Sequence, residues 1–190
     1  MADETNRKID DRPDNEIAKA FKEYPNDIHN DPDDPPPVSA ADAGRAASEW
    51  RVAKCLLRLR EQINADFPDR KKDSDGTIGD TAHCPGNSDH CPNIRDGGVG
   101  VVTGMDITHD PAHGLNAGAV ADKLRLSQDP RIKYIISNGR IANFQALGGQ
   151  PPFAWRPYNG SNPHEKHFHI SVKPGKTGPG GYDTTTDWDV

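Results

Sequence analysis

Three of the chain's eight histidines, His164, His167 and His169, lie within six residues near the C-terminus. The polar–apolar alternation over 167–172 predicts a β-strand with His167, His169 and Ser171 on one face and apolar side chains on the other. Neutral imidazole is a common zinc ligand, and a strand holds it more rigidly than a loop does. The pattern therefore indicates a metal site, with two solvent-facing histidines on an edge strand as the alternative.

A carboxylate interrupts a second apolar strand. In the β-type run 99–108, Gly104 and Asp106 share one face, and the apolar Met105 and Ile107 share the other. Asp is disfavoured inside strands, and burying its charge without a partner is unfavourable. Asp106 therefore requires a cation or a hydrogen-bond donor.

A long loop supplies a third imidazole. Residues 69–95 are polar, rich in Gly, Pro, Asp and Asn, and without periodicity, and such a loop in a compact domain is usually functional. The candidate ligands are therefore His90 in this loop, Asp106, His167 and His169, and two of these imidazoles with the carboxylate would leave an open fourth position, as in catalytic zinc sites. Zinc lowers the pKa of a bound water to about 7 and polarises a carbonyl, which suits amide hydrolysis if a neighbouring side chain transfers protons.

Three motifs carry a resemblance to a known family: Ser88-Asp89-His90, Gly104-Met105-Asp106-Ile107, and His164-x-x-His167-x-His169. Over roughly residues 40 to 173 they resemble the LAS zinc peptidases, the lysostaphin-type, D-Ala-D-Ala carboxypeptidase-type and MepA-type enzymes that cut peptidoglycan peptides. The resemblance implies one zinc ion bound by His90, Asp106 and His169. It also implies that His167 polarises the water or steadies the transition state, and that His164 matches a further histidine of MepA-like members. Residues 91–102 are then an insertion at the rim of the site.

Proton transfer has two candidate residues. Carboxypeptidase-like members carry a Glu three residues before the last histidine, where this chain has Lys166. We assign proton transfer to His167. Glu165 is the reserve candidate, because on an extended strand it would share the face of His167 and His169. Further candidates are Ser88 as a loop hydrogen-bonding residue near the metal, Arg156 and Tyr158 as contacts to a substrate carboxylate or oxyanion or else as surface residues, and Asp80 as a residue that orients a ligand histidine.

The three cysteines leave one alternative open for the loop. Their odd number excludes a full disulfide framework, but Cys84 and Cys91 are close enough to form one bridge. Cys55 falls in a predicted helix and is expected to be a small buried apolar residue. The alternative is a closed structural zinc site made by His83-Cys84 and His90-Cys91, which would leave Asp106 unexplained.

The acidity of the chain belongs to its first residues. Residues 1–38 carry eleven acids against five Lys or Arg, which accounts for the whole formal net charge of −6. The neutral remainder has no basic footprint for nucleic acid. No apolar run reaches the ~18 residues of a membrane span, and no signal peptide is recognisable. We expect synthesis in the cytoplasm and action in the periplasm or on the cell wall after release or delivery.

Periodicity predicts the elements that must position these residues. Val52, Leu56, Leu59, Ile63 and Phe67 predict one long helix, N-capped at Ser39 and ending before Pro68. A second helix is predicted from Ala117, capped by Asn116, and a strand over 132–137 before the Asn138-Gly139 turn. The resulting prediction is an α+β domain with an antiparallel sheet of about four strands and flanking helices, which the resemblance describes as hedgehog/DD-peptidase-like. The predicted boundaries are a disordered, acidic, Pro-rich leader at 1–38, the zinc peptidase domain at 39–173 and a flexible tail at 174–190.

The resemblance implies a zinc-dependent, monomeric peptidase acting on the stem peptide or cross-bridge of peptidoglycan, as a phage lysin or a delivered antibacterial effector. The alternative is a non-catalytic, zinc-stabilised wall-binding module of the same fold, which Lys166 in place of an acid favours. A third reading is a peptidase of ordinary or D-Ala-ended small peptides.

Overall fold

The computed structural model describes residues 50–77 and 88–190. The predicted leader, the Ser39 cap and the candidates Asp80, His83 and Cys84 lie outside the described residues. The elements, in chain order, are β1 Trp50–Val52, α1 Lys54–Asp66, β2 Ile94–Asp96, β3 Val99–Val102, β4 Gly104–Thr108, a 3₁₀ turn Pro111–His113, α2 Ala117–Ser127, β5 Ile132–Ser137, β6 Arg140–Asn143, β7 Arg156–Pro157 and β8 His167–Val172.

Two sheets organise these strands. The larger sheet has the order β4-β8-β5-β6-β7, with every neighbouring pair antiparallel. The smaller has the order β1-β3-β2, in which β1 and β3 are parallel. The α+β class with a mainly antiparallel sheet is thus confirmed. The central sheet has five strands where about four were predicted, and the insertion predicted at 91–102 contributes β2 and β3 to the second sheet.

The two faces of the larger sheet have different environments. Phe168, Ile170 and Val172 of β8 enter the main hydrophobic core together with Met105 and Ile107 of β4. The apolar faces of α1 and α2 supply the rest of that core, since Leu56, Leu59, Ile63, Val120 and Leu124 are buried there. The opposite face carries the polar residues of β4 and β8. Within residues 50–77 and 88–190, neither helix has the length and apolar character of a membrane-spanning segment.

The first helix is shorter in the structure than the apolar stripe predicts. Val52 lies in β1, directly opposite Val102 of β3, and α1 begins only at Lys54, with Ala53 as its N-cap in place of the predicted Ser39. Placing Val52 in the helix was therefore wrong, because pairing with β3 gives this β-branched residue a buried position in a strand. Leu56, Leu59 and Ile63 are buried as predicted, whereas Phe67 is the C-cap residue after α1 and is only partly buried.

The C-terminal segment packs against the domain. The Trp188 side chain is 3% exposed, its indole Nε1 donates to the carbonyl oxygen of Cys55 at 2.7 Å, and the Arg131 guanidinium lies 3.7 Å from its ring centroid. Tyr182 is also buried in the main core. The prediction of a flexible tail with a domain boundary at 173 does not match this packing. Burial of two aromatic side chains offsets the loss of chain entropy that a Gly-, Pro- and Thr-rich composition makes large.

Candidate metal centre

Adjacent antiparallel strands bring the predicted carboxylate and the last histidine together. Asp106 of β4 lies directly opposite His169 of β8, and Thr108 lies opposite His167. The Oδ1 atom of Asp106 is 2.8 Å from Nδ1 of His169, and both side chains are buried. The strand alternation therefore orients both residues as predicted, away from the main core.

His90 completes the cluster from the loop before β2. Its Nε2 atom is 3.0 Å from Nδ1 of His169 and 3.3 Å from Oδ2 of Asp106. All three residues are buried, and their potential ligand atoms lie within 4.8 Å of one another. Ligand atoms around a tetrahedral zinc lie about 3.3 Å apart, given Zn–N distances of about 2.0–2.1 Å. The three residues therefore fit one metal ion.

Contacts on the far side of each imidazole orient the cluster. Nδ1 of His90 is 3.3 Å from the carbonyl oxygen of Thr77, and since a carbonyl only accepts, this contact assigns the proton to Nδ1. The lone pair of a neutral His90 then lies on Nε2, which faces the cluster. Nε2 of His169 is 2.8 Å from the Ser171 hydroxyl, which leaves Nδ1 of His169 towards Asp106. Metal-ligating histidines commonly have such outer partners.

The electrostatics of Asp106 suit a cation. Burial opposes its ionisation, but His90, His167 and His169 around it hold its pKa well below the ordinary value of an aspartate. Among the described residues its side-chain ion pairs are all with histidines, and none is with Lys or Arg. The cluster thus combines a buried anion with imidazole nitrogens, a donor set that suits a divalent ion when the imidazoles are neutral.

The backbone of Asp89 fixes the loop that carries His90. Its carbonyl oxygen accepts hydrogen bonds from the backbone N–H groups of Thr103 at 3.0 Å and Gly104 at 2.8 Å. A Cβ atom at Gly104 would lie 2.9 Å from the carbonyl carbon of Asp89 and 3.1 Å from Cε1 of His169. Glycine is therefore required at position 104, because the loop and the imidazole both approach the strand there.

The Asp89 side chain connects the same loop to β5. Its Oδ2 atom accepts a hydrogen bond from the Tyr134 hydroxyl at 3.0 Å and lies 3.1 Å from Nζ of Lys133. The Tyr134 ring in turn stacks on His169, with 5.5 Å between ring centroids and 21° between planes. The sequence predictions assigned no role to Asp89 or Tyr134. The available signals were that Asp89 precedes His90 and that Tyr134 alternates with the core residue Ile135 on β5.

Two further histidines border the carboxylate. Nε2 of His167 is 3.8 Å from Oδ2 of Asp106, and the His167 side chain is buried. The His164 ring packs edge-on against His167 with 4.8 Å between centroids, and its Nδ1 is 2.7 Å from the carbonyl oxygen of Asn162. The structure therefore brings both histidines to the centre. With Asp106 they form a second group whose potential ligand atoms lie within 4.8 Å of one another.

Other sequence candidates occupy different positions. Glu165 precedes β8 and is exposed, so the expectation that it shares a strand face with His167 is wrong. The Ser88 hydroxyl oxygen accepts a hydrogen bond from the His90 backbone N–H at 3.2 Å, as expected of a loop hydrogen-bonding residue. Tyr158 packs edge-on against His164 at 5.6 Å, and Arg156 Nη2 donates to Asn143 Oδ1 at 2.5 Å.

Two alternatives are excluded by the same structure. β8 lies between β4 and β5, and His167 and His169 are at most 1% exposed, so they are not solvent-facing residues of an edge strand. Cys91 is disulfide-bonded and cannot be a thiolate ligand, which excludes the closed zinc site with His83, Cys84 and His90. Cys55 is a free, buried thiol, as predicted.

Comparison with known proteins adds no assignment. No protein-family model, no curated protein and no solved structure matches the chain. Function is therefore inferred from the geometry of the site and from the motifs that resemble LAS peptidases.

Proposed function

We propose that this protein is a zinc-dependent peptidase that hydrolyses amide bonds of peptidoglycan peptides. The observation that carries the proposal is the convergence of His90, Asp106 and His169 into one buried cluster with 2.8–3.3 Å between neighbouring ligand atoms. These are the residues that the resemblance to LAS peptidases names as ligands, in the same order along the chain.

Zinc is the proposed ion because of the donor set. Two imidazole nitrogens and one carboxylate oxygen match catalytic zinc sites, which have three protein ligands and an open fourth position. Bound there, zinc would supply a water of lowered pKa and polarise a substrate carbonyl. The chain's contribution is to hold the three donors through Thr77, Ser171 and Asp89, whose contacts fix the two imidazoles and the loop.

His167 is the proposed residue for proton transfer. Its Nε2 atom lies 3.8 Å from Oδ2 of Asp106, so it borders the ligand cluster. An imidazole can hold or release a proton near neutral pH, whereas the Glu165 side chain is exposed and lies outside the strand. Glu165 therefore remains only the reserve candidate. Arg156 and Tyr158 are proposed to contact a substrate carboxylate or the developing oxyanion.

The proposed substrate is the stem peptide or cross-bridge of the bacterial cell wall. This choice of substrate rests on the resemblance to LAS peptidases. The proposed protein is a phage lysin or a delivered antibacterial effector, which is made in the cytoplasm and acts on the wall as a monomer. A non-catalytic, zinc-stabilised wall-binding module is the second candidate. Lys166 in place of an acid and the exposure of Glu165 favour it.

Digestion of purified cell walls separates these two functions. The full-length protein is loaded with zinc, treated with chelator and reloaded, and the products are identified by mass spectrometry. We expect clearing that chelation abolishes and zinc restores, with bound zinc close to one per chain by metal analysis. Binding to walls without any release of peptide fragments would support the module and contradict the peptidase.

Two variants test the assigned proton transfer. His167→Ala should lose most of the turnover, about 10²–10⁴-fold, while keeping bound zinc, because it removes a proton-transfer group and none of the three proposed ligands. Glu165→Ala is the matched control and should stay close to wild type. Near-normal turnover in His167→Ala with loss in Glu165→Ala would reverse the assignment, and full activity in both would overturn the scheme.

A further inference from the structure

A cavity of about 590 Å³ lies next to the metal cluster, on the far side of the Asp89–Tyr134 hydrogen bond. It is bounded by the first residues of β5, the end of β6 and the chain that follows β8. Its volume is in the range of ordinary ligand sites, about 300–1,000 Å³. Its lining combines apolar and charged side chains, among them Lys133, Tyr134, Asn143, Phe144, Val172 and Lys173.

The two lysines of this cavity differ in their partners. Nζ of Lys133 lies 3.1 Å from the Asp89 carboxylate, so that charge is neutralised. Nζ of Lys173 lies 4.1 Å from the centroid of the Phe144 ring, and no carboxylate of the described residues lies within ion-pair distance of it. Partial burial lowers the pKa of Lys173, and the more distant Asp129 carboxylate opposes this shift. A partly buried ammonium with no carboxylate at ion-pair distance favours the binding of an anion.

We propose that this cavity binds a carboxylate-bearing part of the substrate peptide, with Lys173 as the counter-charge and Phe144 and Val172 contacting the adjacent apolar atoms. One Asp and two Lys line the cavity, so its formal charge is positive before a ligand enters. The backbone N–H of Lys173 donates to the Arg131 carbonyl at 2.9 Å, which holds the side chain at the cavity wall. This inference rests on the proposed function, because it takes the ligand to be the peptide cut at the metal.

Calorimetric binding to the full-length, zinc-loaded protein tests the inference without any need for turnover. The probes are a stem tetrapeptide purified from digested cell walls and the same peptide with its carboxylates converted to methylamides. We expect the free peptide to bind about tenfold more tightly than the amidated one, as for a hydrogen bond to a charged group. Lys173→Met keeps an unbranched side chain beside Phe144 but removes the ammonium, so it should bring the ratio close to one, while Lys173→Arg keeps the charge and should retain the ratio.

Lys123→Met is the matched control, since it removes the charge of an exposed lysine on α2 and should keep the tenfold ratio. An unchanged ratio in Lys173→Met, a ratio near one in wild type, or no binding of either peptide at millimolar concentration would each overturn the inference. Wall digestion is scored separately. Wall digestion without Lys173-dependent binding refutes the proposed carboxylate site and leaves the peptidase. Lys173-dependent binding without digestion refutes the peptidase and leaves the carboxylate site.

Discussion

Two buried carboxylates on neighbouring backbone segments are neutralised in different ways. Asp75 forms a two-point ion pair with Arg70, with N–O distances of 2.8 and 2.6 Å, and accepts hydrogen bonds from the backbone N–H and the hydroxyl of Thr108. Asp106, two residues before Thr108 on the same strand, has imidazoles around it instead. The difference separates a carboxylate that stabilises the fold from one that can bind an ion.

The chemistry of the partner explains the difference. A guanidinium keeps its charge at all relevant pH values and has no lone pair to offer, so the Arg70–Asp75 pair is permanent. A neutral imidazole offers a lone pair, so the histidines around Asp106 can bind the same metal ion as the carboxylate does. A buried anion surrounded by such donors is most stable when a cation completes the set.

The two carboxylates are also mechanically linked. Gly76, which follows Asp75, pairs with Asp106 through backbone hydrogen bonds of 2.8 and 3.3 Å. The ion pair of Asp75 therefore holds the segment that lines the backbone of Asp106. We infer that the permanent Arg70–Asp75 ion pair positions the Asp106 cluster, which can bind and release a metal ion. The following predictions test this difference between the two carboxylates.

The largest expected effect is on folding. Arg70→Met leaves the Asp75 carboxylate buried without its partner, so the free energy of unfolding should fall by about 3–5 kcal/mol. Urea denaturation in the presence of chelator measures it. Arg58→Met, which removes a partly exposed guanidinium paired with Asp187 and Glu61, is the control and should change stability little. Equal losses in both variants would contradict a special role for the Arg70–Asp75 pair.

The next effect is on metal binding. Asp106→Asn removes a ligand charge and should weaken zinc affinity by more than about 100-fold, beyond the 10–100-fold typical of residues that only orient ligands. Competition with a chromophoric chelator measures the affinity. The control Asp73→Asn changes an exposed carboxylate in the same way and should bind zinc normally. Wild-type affinity in Asp106→Asn would refute the proposed ligand set.

A smaller effect is expected from the residues that brace the centre. Tyr134→Phe keeps the ring on His169 but removes the hydroxyl bound to Asp89, which should lower zinc affinity about fivefold, as for the loss of one hydrogen bond. The same competition assay detects it. Tyr182→Phe lies in the main core and serves as the control. If both variants match wild type, Asp89 fixes the loop through its backbone alone.

The smallest effect is expected when the metal is removed from an intact fold. Burial raises the pKa of the Cys55 thiol to about 12, so native protein should not react with an alkylating reagent that labels the unfolded chain completely. Chelation should leave this protection unchanged, as measured by mass spectrometry. Labelling that appears only after chelation would show that the ion holds the core together, which contradicts an exchangeable role for the Asp106 cluster.

Much of the site could be predicted because the direction of each side chain depends on the conformation of its own strand. Alternation along one strand decides which side chains share a face, so the sequence predicts that His167 and His169 share one face of their strand and that Asp106 lies opposite the apolar residues of its own strand. The same reasoning failed for Glu165 because the extended conformation begins only at His167. The α1 stripe was predictable for the same reason, and Val52 was not, because its place depends on a partner strand some fifty residues away.

The amino-acid sequence alone determined the two-residue and helical periodicities, the α+β class and the polar faces of β4 and β8. Only the tertiary structure decided that β4 and β8 are neighbours in the register that sets Asp106 against His169, that the Asp89 loop crosses above them, and that Trp188 packs on α1. The physical reason is range: backbone geometry dictates which way a side chain points from its nearest neighbours, whereas contacts between distant segments depend on which combination buries the most apolar surface with its polar groups paired.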